Sequence, residues 1–336
     1  ILQKQEEVIA LAKFDIEDSV LKKCLLKEDE TVITVPDGVT TIGKDALCGL
    51  QSVIAVTLPE SLKVINDGAF YGCSSLTSVT LLGSVERLGS CAFAQCSALN
   101  TIYLDNKLTE IGNSAFWGCT SLESIDIPAG VTKIGYNLFG SCLSLISVSL
   151  PDTVTELDER AFKECTSLAC ITLPDSLIKI GNMAFLNCHN LKSVNIPDRL
   201  ESIGEKAFFM CESLHELEIP DGIASVGGDA FSDCVSVTVR STISGKPLYK
   251  AVTATDGSSA YNFILRNIWG KDGFDFAAQD NYFPALQDEN LQYAIAFSRL
   301  MYRVNLSASA EKHYLDFLHN NAENAVRYCI TQRSEE

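Results

Sequence analysis

Histidine is scarce in this chain. Only His189, His215, His313 and His319 occur in 336 residues. The last two are six residues apart, a poor spacing for one helical face, and the first two occupy different places in the pattern described below. Catalytic and metal sites need converging groups, so a histidine-centred site is not expected. Basic residues are also few, 26 against 43 acidic, for a net charge of −17. Residues 241–336 hold 9 basic and 11 acidic side chains, so nearly all of the excess lies upstream. An acidic surface repels phosphates, which argues against nucleic acid or an anionic membrane as partner. Uninterrupted apolar runs stay well short of the ~20 residues of a membrane span, so no membrane insertion is expected. No basic, apolar and small-residue sequence marks a signal peptide. The glycines do not sit in a strand-to-helix phosphate loop, and no cofactor is expected.

What is abundant is periodic. Phenylalanine recurs at Phe70, Phe93, Phe116, Phe139, Phe162, Phe185, Phe208 and Phe231, always 23 residues apart. Cysteine keeps the same step from Cys73 to Cys234, which places eight of the thirteen cysteines at one repeat position. A fixed period without insertion is the signature of a solenoid. Eight equivalent thiols form a ladder with one shared packing role, and buried cysteine behaves as a small hydrophobe. A disulfide framework shows irregular spacings in a short chain, so these are read as reduced core thiols.

The unit has two arms. One carries alternating core residues, such as Val79/Leu81, Ile102/Leu104 and Val148/Leu150, mostly followed by proline; this predicts a strand with one buried face, stacked into a parallel ladder. The other, as in Ala69-Phe70…Cys73…Leu76, suits a short helical or 3₁₀ turn. Glycine at Gly43, Gly89, Gly112, Gly135, Gly181, Gly204 and Gly227 is replaced by Asn66 and Asp158 in two copies. Both replacements tolerate left-handed backbone, so a positive φ is expected at this position.

Three regions follow. Residues 1–35 form an N-terminal segment and β-hairpin cap, with strands expected at Phe14–Cys24 and Thr31–Pro36 around the polar turn Lys27–Glu30. Residues 36–240 form a solenoid of about nine coils, and Val237/Val239 are expected in its last edge strand. Residues 241–336 form a helical C-terminal domain or cap. There, Asp288 could cap a helix running to Tyr302, and Ser307 a helix carrying Tyr314, Phe317 and Leu318. Ala322, Ala325, Val326, Cys329 and Ile330 make an i, i+3, i+4, i+7, i+8 stripe.

The unit Ile111-Gly112-Asn113-Ser114-Ala115-Phe116-Trp117-Gly118-Cys119-Thr120-Ser121-Leu122 closely resembles the BspA-like class of bacterial leucine-rich repeats. The segment Phe14–Pro36 is similar to the start of many of those proteins. The resemblance covers residues 14–240 and implies an α/β leucine-rich-repeat solenoid, a right-handed coil. It also implies host-associated bacterial proteins, some of them surface adhesins, and it carries no catalytic or ligand residue over.

Candidate binding positions lie on the outside. Between the core residues of each strand are Thr57, Thr80, Tyr103, Asp126, Ser149, Thr172, Asn195 and Glu218. This face is hydroxyl-rich in the middle, and Glu216 and Glu218 make it acidic towards the C-terminal end. The position after the repeat phenylalanine holds Tyr71, Trp117, Leu186 and Phe209, and exposed aromatics are enriched at binding hot spots. Leu186 and Phe209 stand on adjacent coils, where they form either an apolar patch or a surface covered by the helical region. The expected function is a non-enzymatic module that binds a protein or glycan partner. It would act as a cell-surface adhesin, or as an intracellular scaffold, or as a domain that positions a catalytic or signalling segment outside this sequence. Resemblance points to the cell surface; the unpaired cysteines and the lack of a visible signal point to the cytoplasm.

Overall fold

The computed structural model describes residues 12–26, 30–81, 85–215, 217–232, 234 and 236–240. In the C-terminal part it describes 247–252, 269–270, 273–274, 280, 283, 292–293, 295–296, 299–300, 306–322 and 324–326. The chain forms a parallel-strand solenoid with a 23-residue step, divided into two compact units. One comprises residues 1–131 and 138–148, the other residues 132–137 and 149–336.

Each coil carries two strands. The alternating arm forms the first ladder, which in the first unit comprises Val32–Thr34, Ala55–Thr57, Ser78–Thr80 and Thr101–Tyr103 in one sheet. Their pairing is parallel and in register: Ser78 lies opposite Thr101, Val79 opposite Ile102 and Thr80 opposite Tyr103. The middle residue of each strand is buried and its neighbours face outward. The second ladder has two-residue strands just before the repeat glycine. Thr41–Ile42, Val64–Ile65, Arg87–Leu88 and Glu110–Ile111 build it in the first unit, and Lys133–Ile134 through Ser225–Val226 in the second. A two-residue strand leaves almost no alternation to detect, so the periodicity revealed only the longer one.

Phenylalanine and cysteine hold successive coils together. Phe70, Phe93, Phe116 and Phe139 stack in the first unit with centroids 4.9, 5.9 and 5.7 Å apart. Phe162, Phe185, Phe208 and Phe231 do the same in the second at 5.3, 5.1 and 5.9 Å. Each ring is fully buried, contributing on the order of 2–3 kcal/mol of apolar transfer. The thiols do more than fill space. Cys96 Sγ donates to the Phe70 carbonyl, Cys119 to Phe93, Cys142 to Phe116 and Cys211 to Phe185, at 3.1–3.2 Å. A small apolar side chain with one donor suits that position better than alanine or valine.

The repeat glycine is not where the backbone turns left-handed. Positive φ lies two residues later, at Cys91 (54°), Ser114 (56°), Arg160 (60°), Met183 (55°) and Lys206 (54°), and again at Gln95, Glu164 and Asn187. The glycine answers a different constraint, because one coil's backbone rests on the next there. A Cβ on Gly89 would lie 2.5 Å from the Asn66 carbonyl carbon, and one on Gly204 2.5 Å from that of Gly181. Asn66 and Asp158, which replace the glycine, direct their side chains to Arg87 (2.6 Å) and Lys133 (2.9 Å).

The N-terminal cap is a hairpin, but with different arms from those expected. β1 (Lys13–Glu17) pairs antiparallel with β2 (Val20–Leu25). The turn is Asp18-Ser19, both at positive φ (50° and 62°), the conformation that two-residue hairpins require. The stretch Phe14–Cys24 is therefore two strands rather than one, and Val32–Thr34 starts the first ladder instead of closing the hairpin. β2 in turn starts the second ladder, lying parallel to Thr41–Ile42 with Leu21 buried. Lys13, Asp15 and Glu17, with a register shift at Asp15/Ile16, mark the outer strand. Charges and a bulge keep such an edge from pairing with another chain.

At the other end, Ser236–Arg240 pairs parallel with Leu217–Pro220 and antiparallel with Pro247–Val252. The expected last edge strand is thus an inner one. Trp269–Gly270 and Gly273–Phe274 form a further small antiparallel pair. α1 (Ala308–Asn320) begins as expected at Ser307, whose hydroxyl accepts from the Ala310 amide at 3.1 Å. Tyr314 is buried on it, and Phe317 and Leu318 are half-buried. Ala325 is buried but Val326 is 59% exposed, so the predicted stripe does not pack as one face. Asp288, Cys329 and Ile330 lie outside the described residues.

Two substitutions separate the roles of the two repeat positions. Gly89→Ala is expected to lower stability by about 1–3 kcal/mol through overpacking. Ser114→Gly is expected to raise it by about 1 kcal/mol by relieving left-handed strain. Urea unfolding midpoints measure both; the opposite ordering would place the backbone constraint at the wrong residue.

Candidate functional site

On the first ladder the outward positions of the described strands are exposed. The inward residues Val79, Ile102 and Ile125 are buried, and their neighbours form columns one coil apart. Thr34, Thr57, Thr80, Tyr103 and Asp126 project outward in the first unit, and Thr172, Asn195 and Glu218 in the second; all are exposed. Within the sheet from Val32–Thr34 to Thr101–Tyr103, paired strands stand about 4.8 Å apart, so equivalent side chains lie side by side.

The sequence-selected positions divide between two arms. Tyr103, Asp126 and Glu218 are on the strand face, and Tyr103 is 65% exposed. Tyr71 and Trp117 sit on the turn arm of the first unit, where Tyr71 is 39% exposed and Trp117 half-buried. Leu186 and Phe209 occupy the turn arm of the second unit on successive coils, since the Asn187 amide donates to the Phe209 carbonyl at 3.0 Å. Both are half-buried. Glu216 lies outside the described residues. Asn195 is committed to the fold: its side chain accepts from the Leu173 amide and donates to the Leu173 carbonyl, each at 2.8 Å. That clasp substitutes a side chain for a strand partner, and nothing in the repeat pattern announces it.

The second ladder of the second unit bounds an open groove of about 590 Å³. Asp158, Glu159, Lys179, Gly181, Asn182, Gly204 and Glu205 are among the residues that line it. Beside it, Lys133 bridges Glu156 (3.3 Å) and Asp158 (2.9 Å). Burial pushes the Asp158 carboxyl up, but the Lys133 ammonium and the Glu159 amide outweigh it and hold it below its usual value. These side chains serve one another and the backbone of adjacent coils.

A third cluster, missed in the sequence, lies in the C-terminal part. Arg299 is fully buried and grips Asp280 with two hydrogen bonds, Nε to Oδ1 at 2.8 Å and Nη2 to Oδ2 at 2.9 Å. The Tyr314 hydroxyl donates to Asp280 Oδ1 at 2.6 Å. Burial, then the Asp280 carboxylate, pushes the phenol well above its usual pKa. Phe283 packs edge-on against Tyr314 and Phe317. A buried ion pair satisfied on both sides acts as an internal tie, and breaking one partner costs ~3–5 kcal/mol. Among the described residues, no group of three or more His, Cys, Asp or Glu is placed to hold a metal ion. No helix of the described residues is long and apolar enough to cross a membrane.

The thiols of the ladder are all buried. Burial raises Cys119 and Cys211 to about 12, so both remain protonated donors at neutral pH. Cys48 and Cys170 are exposed instead. A thiol reagent is expected to modify Cys48 and Cys170 within minutes in the native protein, and Cys73, Cys96, Cys119, Cys142, Cys165, Cys188, Cys211 and Cys234 only after denaturation. Peptide mapping of the adducts checks this, and rapid native labelling of ladder thiols would contradict it. The Lys133–Asp158 pair has a pH signature. Its carboxyl titrates lower in the folded state, so its contribution is present above the unfolded value near pH 4 and is lost as the pH falls through the folded value. Asp158→Asn is expected to be less stable than the parent at pH 7 and to converge with it in urea melts once the pH has fallen through the lowered folded-state value.

The match to a family model agrees with this architecture. A model of the BspA type leucine rich repeat region matches six copies, over residues 15–146 and 132–246. A leucine rich cell surface protein from Faecalibacterium prausnitzii A2-165 is similar at 28% identity and a TM-score of 0.54, over 69% of this chain and 74% of its own. A leucine-rich repeat protein from Bacteroides ovatus aligns at 21% identity and a TM-score of 0.44, over 70% and 90%. One from T. pallidum aligns at 25% and 0.41, over 67% and 86%. No curated protein sequence matches the chain. With the 23-residue step, the paired strand ladders and a family match across most of its length, this chain belongs to the BspA-type leucine-rich repeat family.

Proposed function

We propose that the chain is a non-enzymatic recognition module whose first-ladder face binds a protein partner. The observation that carries this reading is the exposed strand face of the first unit. Its small hydroxyl side chains form a regular column, and Tyr103 stands 65% exposed within it. The column offers hydrogen bonds and the phenol ring offers apolar area at little entropic cost, a combination suited to a protein surface. Solenoids use such repeated faces for extended contacts. The cell-surface assignment of the F. prausnitzii relative supports display outside the cell. A scaffold in a reducing compartment is the second reading, favoured by the unpaired thiols among the described residues.

The reading is tested by photo-crosslinking in the producing organism. A photoreactive amino acid is placed at Thr80 on the first-ladder face or at Glu110 on the second. A discrete protein adduct is expected from position 80 and none from 110. Adducts from position 110 alone, or from neither position, would overturn the assignment of the binding face.

A further inference from the structure

We propose that the first-ladder face of the first unit recognises an arginine-bearing extended segment of its partner, through Tyr103 and Asp126. This inference rests on the face assigned above and names the chemistry it selects.

Three observations carry it. First, the face is electrostatically one-sided. Its positions 31–34, 54–57, 77–80, 100–103 and 123–126 contain no lysine or arginine, and their only charged residues are Glu123 and Asp126. Both are exposed. Elsewhere in the chain, basic side chains sit beside acids: Lys22 with Glu17, Lys133 with Glu156 and Asp158, Lys163 with Glu164, Lys206 with Glu205. Among the described residues, neither Glu123 nor Asp126 has an ion-pair partner.

Second, the exposed ring and the carboxylate are neighbours. Tyr103 and Asp126 occupy the same position in consecutive coils, and those coils meet directly, with the Glu123 amide donating to the Asn100 carbonyl at 3.4 Å. Thr101–Tyr103 and Ser124–Asp126 belong to separate sheets, but the two strands adjoin, so the phenol ring and the carboxylate stand one coil apart on the same exposed side. A guanidinium can lie over the ring while its N–H fork faces the carboxylate; an ammonium meets only one of these well.

Third, the approach is open on the other side of the ring. Thr80 lies opposite Tyr103 in register, and Thr57 and Thr34 continue the column outward. Their short hydroxyl side chains leave room for the backbone of an extended chain and can hydrogen-bond to it. Charge complementarity therefore selects a basic protein segment as the occupant.

The test uses the full chain and three fluorescein-labelled heptapeptides, Gly-Arg-Gly-Arg-Gly-Arg-Gly and its lysine and glutamate counterparts, titrated by fluorescence anisotropy at physiological salt. The arginine peptide is expected to bind more tightly than the lysine peptide, and the glutamate peptide not to bind. Tyr103→Ala and Asp126→Asn are each expected to weaken arginine-peptide binding by about three- to thirtyfold. Glu110→Gln, an exposed carboxylate on the other ladder, is expected to leave it unchanged. Both test residues are exposed, and unchanged circular dichroism and melting confirm that the variants fold. Equal binding by parent, Tyr103→Ala and Asp126→Asn would show only general attraction to an acidic chain and would overturn the proposal. So would the absence of arginine-peptide binding. Either result alongside a protein adduct at position 80 removes the arginine specificity and leaves the binding face standing. Loss of that adduct removes the face itself.

Discussion

The structure depends on one distance, the separation of successive coils at strand spacing. Once two backbones lie about 4.8 Å apart at each ladder, every other feature has to fit that gap. At the repeat glycine the coils touch, and a Cβ on Gly89 would lie 2.5 Å from the backbone below it. At the phenylalanine the gap is filled by rings stacked with centroids 4.9–5.9 Å apart. At the cysteine a thiol spans it to a carbonyl of the previous coil. The left-handed residues two positions beyond the glycine, at Cys91 and Ser114 for example, turn the chain within that same spacing. They cost ~1–2 kcal/mol each, which the buried apolar column around them offsets.

A core so strictly specified leaves the outer strand positions free to vary, and variation concentrates there. Thr80, Tyr103 and Asp126 occupy one structural position with three different chemistries. The inward residues beside them are all aliphatic. Surface chemistry is thus written on a scaffold that does not change underneath it. The acidic balance has two consequences here. On the second ladder, Lys133 takes up the carboxylates of Glu156 and Asp158 from the neighbouring coil. On the first-ladder face of the first unit no such cations occur, so its carboxylates stay available to an approaching molecule.

The ends of the ladders are treated differently from their middles. The hairpin β1–β2 supplies the second ladder with its first strand and presents a charged, bulged outer edge. At the other end the first ladder closes with an antiparallel strand, Pro247–Val252. The Arg299–Asp280–Tyr314 tie then joins α1 to Asp280 and Arg299 by polar contacts.

The 23-residue step, the buried Phe, Cys and aliphatic positions, the first ladder and the Ser307 cap were legible in the sequence because each is set by local spacing. A residue's place in the repeat decides whether it points inward, and a serine before a helix has only its own turn to satisfy. What the sequence did not show are relations between coils or across folded segments. That the glycine answers a close approach, that the left-handed turn lies two residues later, and that Asn195 clasps Leu173 each depend on a neighbour about one repeat away in sequence and one strand spacing away in space. The second ladder was hidden because two residues are too few to alternate, and the hairpin turn because Asp18-Ser19 carries none of the usual glycine. Arg299 and Asp280 look like ordinary surface residues in sequence, and only folding removes them from water and makes them partners. Tyr103 and Asp126 were visible as outward positions; that both are exposed on adjoining strands follows from the stacking of coils.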